Sequence, residues 1–131
     1  MPLSIASTSV AGRNSVVYTN RIARTDTTAK DLFVLEQGDI PMSLRLYGDT
    51  ASNAGTSARL SIGSTGNASY FVPNIEVKSG ANAAAQSTPS TVSNLMEPLP
   101  FQTTVTGTYV ETGTASTAGG PWSVVMEVLK A

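Results

Sequence analysis

Met42-Ser43-Leu44-Arg45-Leu46-Tyr47 and, after a loop, Ser57-Ala58-Arg59-Leu60-Ser61-Ile62 alternate apolar and polar residues with a period of two. Successive side chains of an extended strand point to opposite faces, so Met42, Leu44 and Leu46 share one face, as do Ala58, Leu60 and Ile62. An amphipathic helix would instead repeat its apolar residues every three to four positions. The two runs therefore read as strands with one buried face each. Between them, residues 48–55 hold Gly, Asp, Thr, Ala, Ser and Asn, a loop by composition. Sequential strands are usually neighbours, so the pair is expected to form a long-looped hairpin, closed off by a turn at Gly63–Asn67.

Towards the N-terminus, Leu32-Phe33-Val34-Leu35 is a short apolar run ended by a turn at Gln37-Gly38-Asp39. Residues 1–31 differ in character, with Arg13, Arg21, Arg24 and Lys30 against Asp26 and Asp31. Their β-like run is Ser15-Val16-Val17-Tyr18. This stretch reads as an N-terminal arm or a lead-in strand, ahead of a β-sandwich domain over residues 32–131. Its charge is either scattered over an ordinary first strand or carried by an arm lying on an acidic neighbour. On the second reading Arg13, Arg21 and Arg24 are the candidate partner contacts.

Towards the C-terminus, Pro73 argues against a continuous central strand over residues 68–78, leaving a short helical turn or two edge pieces. Residues 79–93 have low complexity and read as a mobile loop. Leu95 to Val105, with Pro98 and Pro100, suits an edge strand or its approach, and a strand follows over 106–112. After a turn-rich loop at 113–121, Trp122, Val124, Met126 and Val128 fall on one face of a last strand. Val125 and Leu129 interrupt that alternation, which suits a strand covered on both sides. Trp122 is expected to anchor the core, with Phe33, Phe71 and Phe101 also inside. Six to eight short strands separated by long Ser/Thr/Gly/Ala loops make an all-β antiparallel sandwich or barrel.

Composition narrows the chemistry. The 131 residues include no His and no Cys, which removes the commonest neutral-pH base, the commonest metal ligand and every disulfide. Charged residues are 13% of the chain, about half the usual share, and the net charge is −1. No direct nucleic-acid binding is expected from that balance. Ser and Thr make up roughly a quarter of the residues. A neutral, hydroxyl-rich surface is compatible with a protein that works packed against other subunits. The start, Met-Pro-Leu-Ser-Ile, lacks the basic and apolar regions of a signal peptide, and no apolar run is long enough to span a membrane.

Each catalytic motif is missing a part. The serines have no histidine and no Ser-x-x-Lys setting. The acids, such as Asp39, Asp49, Glu76, Glu97, Glu111 and Glu127, are singletons that read as solvated turn and strand-exterior residues. Gly63-Ser64-Thr65-Gly66 lacks the Lys and the helix of a phosphate loop. Asp49, Ser52 and Asn53 offer too few oxygens for calcium. The expectation is no catalytic residue, no metal, no cofactor and no small-molecule substrate.

Two stretches carry a resemblance. Residues 48–72, with Leu60-Ser61-Ile62-Gly63 and the Gly66-Asn67 turn, resemble a segment of small structural proteins encoded among the head genes of tailed bacteriophages. Residues 106–128, ending Gly119-Gly120-Pro121-Trp122-Ser123-Val124-Val125-Met126, look like the closing hairpin of the same proteins. The resemblance implies a capsid decoration (cement) protein, or a related head protein, with a jelly-roll-like antiparallel β-sandwich. It further implies a place on the virion capsid surface after synthesis in the bacterial cytoplasm, with the major capsid protein as partner. Self-association as a trimer or dimer is implied too. The alternatives are a tail or head-fibre component, or a carbohydrate-binding β-sandwich.

Overall fold

The computed structural model describes residues 14–48, 50–78, 85–86 and 94–131, with the backbone alone at Pro73, Asn74, Ala85 and Gln86. The period-two stretches form strands. In chain order these are β1 (Ser15–Ile22), β2 (Lys30–Leu35), β3 (Ile40–Gly48), β4 (Ser57–Ser64), β5 (Asn67–Glu76), β6 (Ala85–Gln86), β7 (Thr103–Thr112) and β8 (Trp122–Leu129). They make two four-stranded sheets, ordered β1-β8-β3-β6 and β2-β7-β4-β5. Every pairing is antiparallel. Eight strands in this double order are a jelly roll, a β-sandwich in which successive strands keep crossing between the sheets.

The inward faces carry the residues that the alternation selects. Leu44 and Leu46 of β3, Ala58, Leu60 and Ile62 of β4, and Trp122, Val124, Met126 and Val128 of β8 are all buried. Fully burying such a side chain contributes roughly 1.5–3 kcal/mol. Trp122 stacks on Tyr109 of β7 with ring centroids 5.3 Å apart, joining the central strands of the two sheets. Gly48 lies opposite Trp122 in the β3–β8 register, and a Cβ there would overlap the indole.

Several expectations change. The hairpin expected between β3 and β4 does not form: β3 pairs with β8 and β6, while β4 pairs with β5 and β7. The loop between them passes from one sheet to the other, so each strand buries its apolar face against the opposite layer. Residues 67–76 form one strand through Pro73, without a helical turn. β5 is a sheet edge, where a missing N–H is tolerated, and its register with β4 slips twice. Val125 and Leu129 of β8 are partly buried and lie on its outer face, so the sandwich covers that strand on one side only. Phe101 is 66% exposed rather than in the core, and Phe33 is half-buried against Tyr18. Of the low-complexity stretch 79–93, Ala85–Gln86 pairs with Leu46 and Tyr47, and the rest lies outside the described residues.

Within residues 1–31, β1 pairs along its whole length with β8, from Ser15↔Leu129 to Ile22↔Trp122. β2 begins at Lys30. Residues 1–13, including Arg13, lie outside the described residues.

Candidate functional site

Polar side chains gather at the two ends of the sandwich. At one end Asp39, in the β2–β3 turn, is fully buried. Its carboxylate accepts from Lys130 Nζ at 2.6 Å, from the Glu36 N–H at 2.8 Å and from the Ala131 N–H at 2.9 Å. Burial alone pushes this carboxyl up. The Lys130 bond, the two backbone donors and the Lys130 charge outweigh it, leaving the group below the ordinary carboxylate range. Lys130 is raised in turn, chiefly by Asp39, and it also donates to Tyr18 Oη at 3.2 Å. The expectation of a solvated Asp39 is thus corrected: three donors satisfy a buried charge, and its work is to fasten residues 130–131 to the turn.

At the other end a relay links the β3–β4 loop through β7 to the β7–β8 loop. The Tyr109 hydroxyl donates to Glu111 Oε1 at 2.7 Å, so Ser52 Oγ, 2.6 Å away, donates to Tyr109. Ser52 Oγ accepts from the Ala54 N–H, and Glu111 Oε2 from the Ser116 N–H. Hydrogen bonds from Ser116 and Tyr109 hold Glu111 below its usual range. Burial pushes the Tyr109 phenol up. A serine, a tyrosine and a carboxylate in sequence invite a catalytic reading, but Ser52 and Tyr109 are buried. The relay ties loops together. Among the described residues no group of three or more His, Cys, Asp or Glu is placed to hold a metal ion.

Arg24 belongs to the same end. Its guanidinium donates to the Ser116 carbonyl at 3.1 Å and to Ser116 Oγ at 3.3 Å, bracing the β7–β8 loop from the β1–β2 turn. Arg21 lies elsewhere, exposed on β1 opposite Ser123. The two guanidinium groups stand differently: Arg24 is bonded to Ser116 and Arg21 is exposed on the sheet.

Arg21 has other company. Strand register sets out the outer face of the β1-β8-β3 sheet in rows: Arg21, Ser123 and Tyr47; then Thr19, Val125 and Arg45; then Val17, Glu127 and Ser43. Tyr47 is 57% exposed, Arg45 is exposed, and a shallow depression of about 470 Å³ lies over Thr19, Arg21, Ser123 and Val125. Glu127, the acid of this face, accepts from Ser15 Oγ at 3.0 Å. Ion pairs elsewhere engage Lys30 with Asp26, Arg59 with Glu76 and Lys130 with Asp39. Among the described residues neither Arg21 nor Arg45 has a carboxylate within ion-pair distance.

A second surface feature lies near the Asp39 end. Phe101, Pro100 and Tyr70 line an open groove of about 260 Å³ against the β4–β5 turn, beside Asn67. No charged side chain lines it.

No family model matches the sequence, and neither does any curated protein. Among solved structures, a chain of the cyanophage Pam1 capsid asymmetric unit is similar, with a TM-score of 0.67 at 18% identity. The match covers all of this chain and 94% of that one. The likeness is one of fold.

Sequence reasoning singled out the arginines of the first 31 residues and missed Arg45 and Tyr47. Their signal was present: in an alternating strand whose Leu44 and Leu46 are buried, Arg45 and Tyr47 must share the opposite face. What the sequence lacked was the register that sets Arg21 across β8 from them.

Proposed function

We propose that this chain is a non-enzymatic structural protein of a bacteriophage virion that binds the assembled capsid lattice and stabilises it. The observation that carries this reading is the end-to-end likeness to a chain of a phage capsid asymmetric unit. The match covers all of this chain and 94% of that one, so the likeness runs over almost the whole of both folds. A chain of an asymmetric unit recurs over the shell by symmetry, which favours a lattice-wide role over one at the tail. The two polar networks serve as loop fasteners, consistent with a scaffold whose working parts are its surfaces.

The thermodynamics suit such a role. A protein that binds the assembled shell in preference to free subunits stabilises the shell by mass action, by about 2.7 kcal/mol per site at a hundredfold excess over Kd. Repeated over many copies, a modest interface with the major capsid protein suffices. Self-association as a trimer or dimer would bridge neighbouring lattice positions.

The groove at Phe101 and Tyr70, beside Asn67, favours a second reading, a carbohydrate-binding β-sandwich, since an exposed aromatic beside an amide can stack on and read a sugar. Quantitative mass spectrometry of particles from the phage that encodes the chain separates the readings. A copy number equal to that of the major capsid protein, or a simple fraction of it, supports the lattice role. A few copies per particle point to the tail or a fibre. Absence from particles removes the virion reading and leaves a glycan array as the next test.

A further inference from the structure

We infer that the outer face of the β1-β8-β3 sheet is the surface through which this protein docks, and that its partner is a protein surface bearing carboxylates, read by Arg21 and Arg45. This rests on the capsid reading above and adds to it which face is used and what chemistry it meets.

Three observations converge. First, the chain is sparing with charge, and four of the seven Lys and Arg among the described residues are committed within the fold: Lys30, Arg59 and Lys130 to carboxylates, Arg24 to Ser116. Among the described residues Arg21 and Arg45 have no carboxylate within ion-pair distance, and they stand on one face, in adjacent rows separated by β8. Strand spacing of about 4.8 Å and a step of about 6.8 Å between rows place their Cβ atoms on the order of 12 Å apart. That span suits two carboxylates of a partner strand or loop.

Second, the ground between them is built for contact. Val125, Ser123 and Thr19 form a low floor beside Arg21, and the exposed Tyr47 lies opposite Ser123 on β3. Aromatic and arginine anchors around a small apolar and hydroxyl floor are what interface centres are enriched in. Third, the face is firm. β8 is hydrogen-bonded to β1 and β3, so the backbone that carries Arg21 and Arg45 belongs to one paired sheet and needs no ordering on binding.

Guanidinium groups recognise carboxylates through two parallel N–H···O bonds, and such contacts on a charged face speed encounter as well as holding the complex. Nucleic acid is the competing occupant. Two arginines on a face that also carries Glu127, in a chain of net charge −1, make a poor phosphate track.

The test uses full-length protein and purified capsids lacking it, with binding measured by co-sedimentation. The variants are R21E/R45E, the milder R21Q/R45Q, and R59E as a control that alters charge on the other sheet. Wild type binds, R59E stays within about twofold of it, and R21E/R45E weakens by at least about tenfold, with R21Q/R45Q intermediate. Raising salt from about 50 to 500 mM weakens wild type more than R21Q/R45Q. Thermal melts check that each variant is folded, and the glutamine pair carries the test if the glutamate pair is not. Wild-type binding with both arginine pairs unaffected overturns this inference while leaving the capsid role standing. Failure of wild type to bind any capsid overturns the capsid reading and the inference with it. Binding abolished by nuclease treatment makes nucleic acid the partner and also overturns it.

Discussion

Asp39→Asn gives the sharpest test of how the sandwich is fastened. The substitution keeps the size of the side chain and changes what it can accept. Asp39 Oδ2 takes both the Lys130 ammonium at 2.6 Å and the Glu36 N–H at 2.8 Å, while Oδ1 takes the Ala131 N–H. An asparagine can serve one set with its carbonyl and must set its own N–H groups against donors on the other. Breaking a buried ion pair from one side costs about 3–5 kcal/mol. Lys130 keeps 28% of its side chain exposed and can turn to water, which lowers the expected cost to about 2–3 kcal/mol. For a domain of this size that corresponds to a fall in Tm of roughly 7–12 °C at neutral pH. The carboxyl is held below its ordinary value of 3.8 in the folded state, so its contribution is complete above that value. It is lost as pH falls through the lower folded value. Differential scanning calorimetry of wild type and D39N across pH should therefore show two melting curves far apart at pH 7 that converge in acid. A gap of equal size at both ends of the range, or a shift under about 2 °C at neutral pH, would refute the reasoning that a charged, fully bonded Asp39 pins this end.

Three other outcomes follow from the packing and the surface. Trp122→Ala removes the stacking partner of Tyr109 and should cost about 3–5 kcal/mol by urea unfolding; Trp122→Phe should cost distinctly less, since the buried Trp122 Nε1 has no acceptor among the described residues. Phe101→Ser should leave Tm within about 2 °C of wild type, because the ring is 66% exposed; a large fall would place Phe101 in the core after all. Deleting residues 1–13 should leave the β-type circular dichroism intact, since β1 begins at Ser15, and if those residues form an attachment arm it should weaken capsid binding; loss of the β signal would make them part of the folded domain.

The sequence revealed faces better than partners. Alternation in residues 42–47, 58–62 and 122–128 identified the buried side of β3, β4 and β8, because a period of two is a local property of an extended chain. It could not say which strand lies alongside which. The expected β3–β4 hairpin failed for that reason: both strands show the right faces whether they share a sheet or oppose each other across the core. Asp39 was illegible on other grounds. A turn aspartate between Gly38 and Ile40 looks solvated until Lys130, 91 positions away, closes over it. Phe101 shows the reverse error, a large aromatic placed inside on type alone although two prolines just before it steer the chain along the surface. Of the candidate contacts, Arg21 was visible as an uncommitted charge, but its companions Arg45 and Tyr47 needed the pairing of β3 with β8 to come into view.

The strand order has a consequence for how the chain acquires its shape during synthesis. β8 lies between β1 and β3, and without it β1 has no neighbour in its own sheet while β3 keeps only the two residues of β6. Likewise β7 separates β2 from β4, so one inner strand of each sheet is made last. A growing chain that has reached residue 100 holds three strands of each sheet and lacks the one that joins β1 to β3 and the one that joins β2 to β4. Its β1 and β2 have no partner within their own sheets, and these unpaired edges are open to other chains. Pairings this distant in sequence close slowly, in milliseconds to seconds for all-β domains of comparable size. Each sheet is thus closed by a late inner strand, and the jelly roll is complete only when the eighth strand slots between the first and the third.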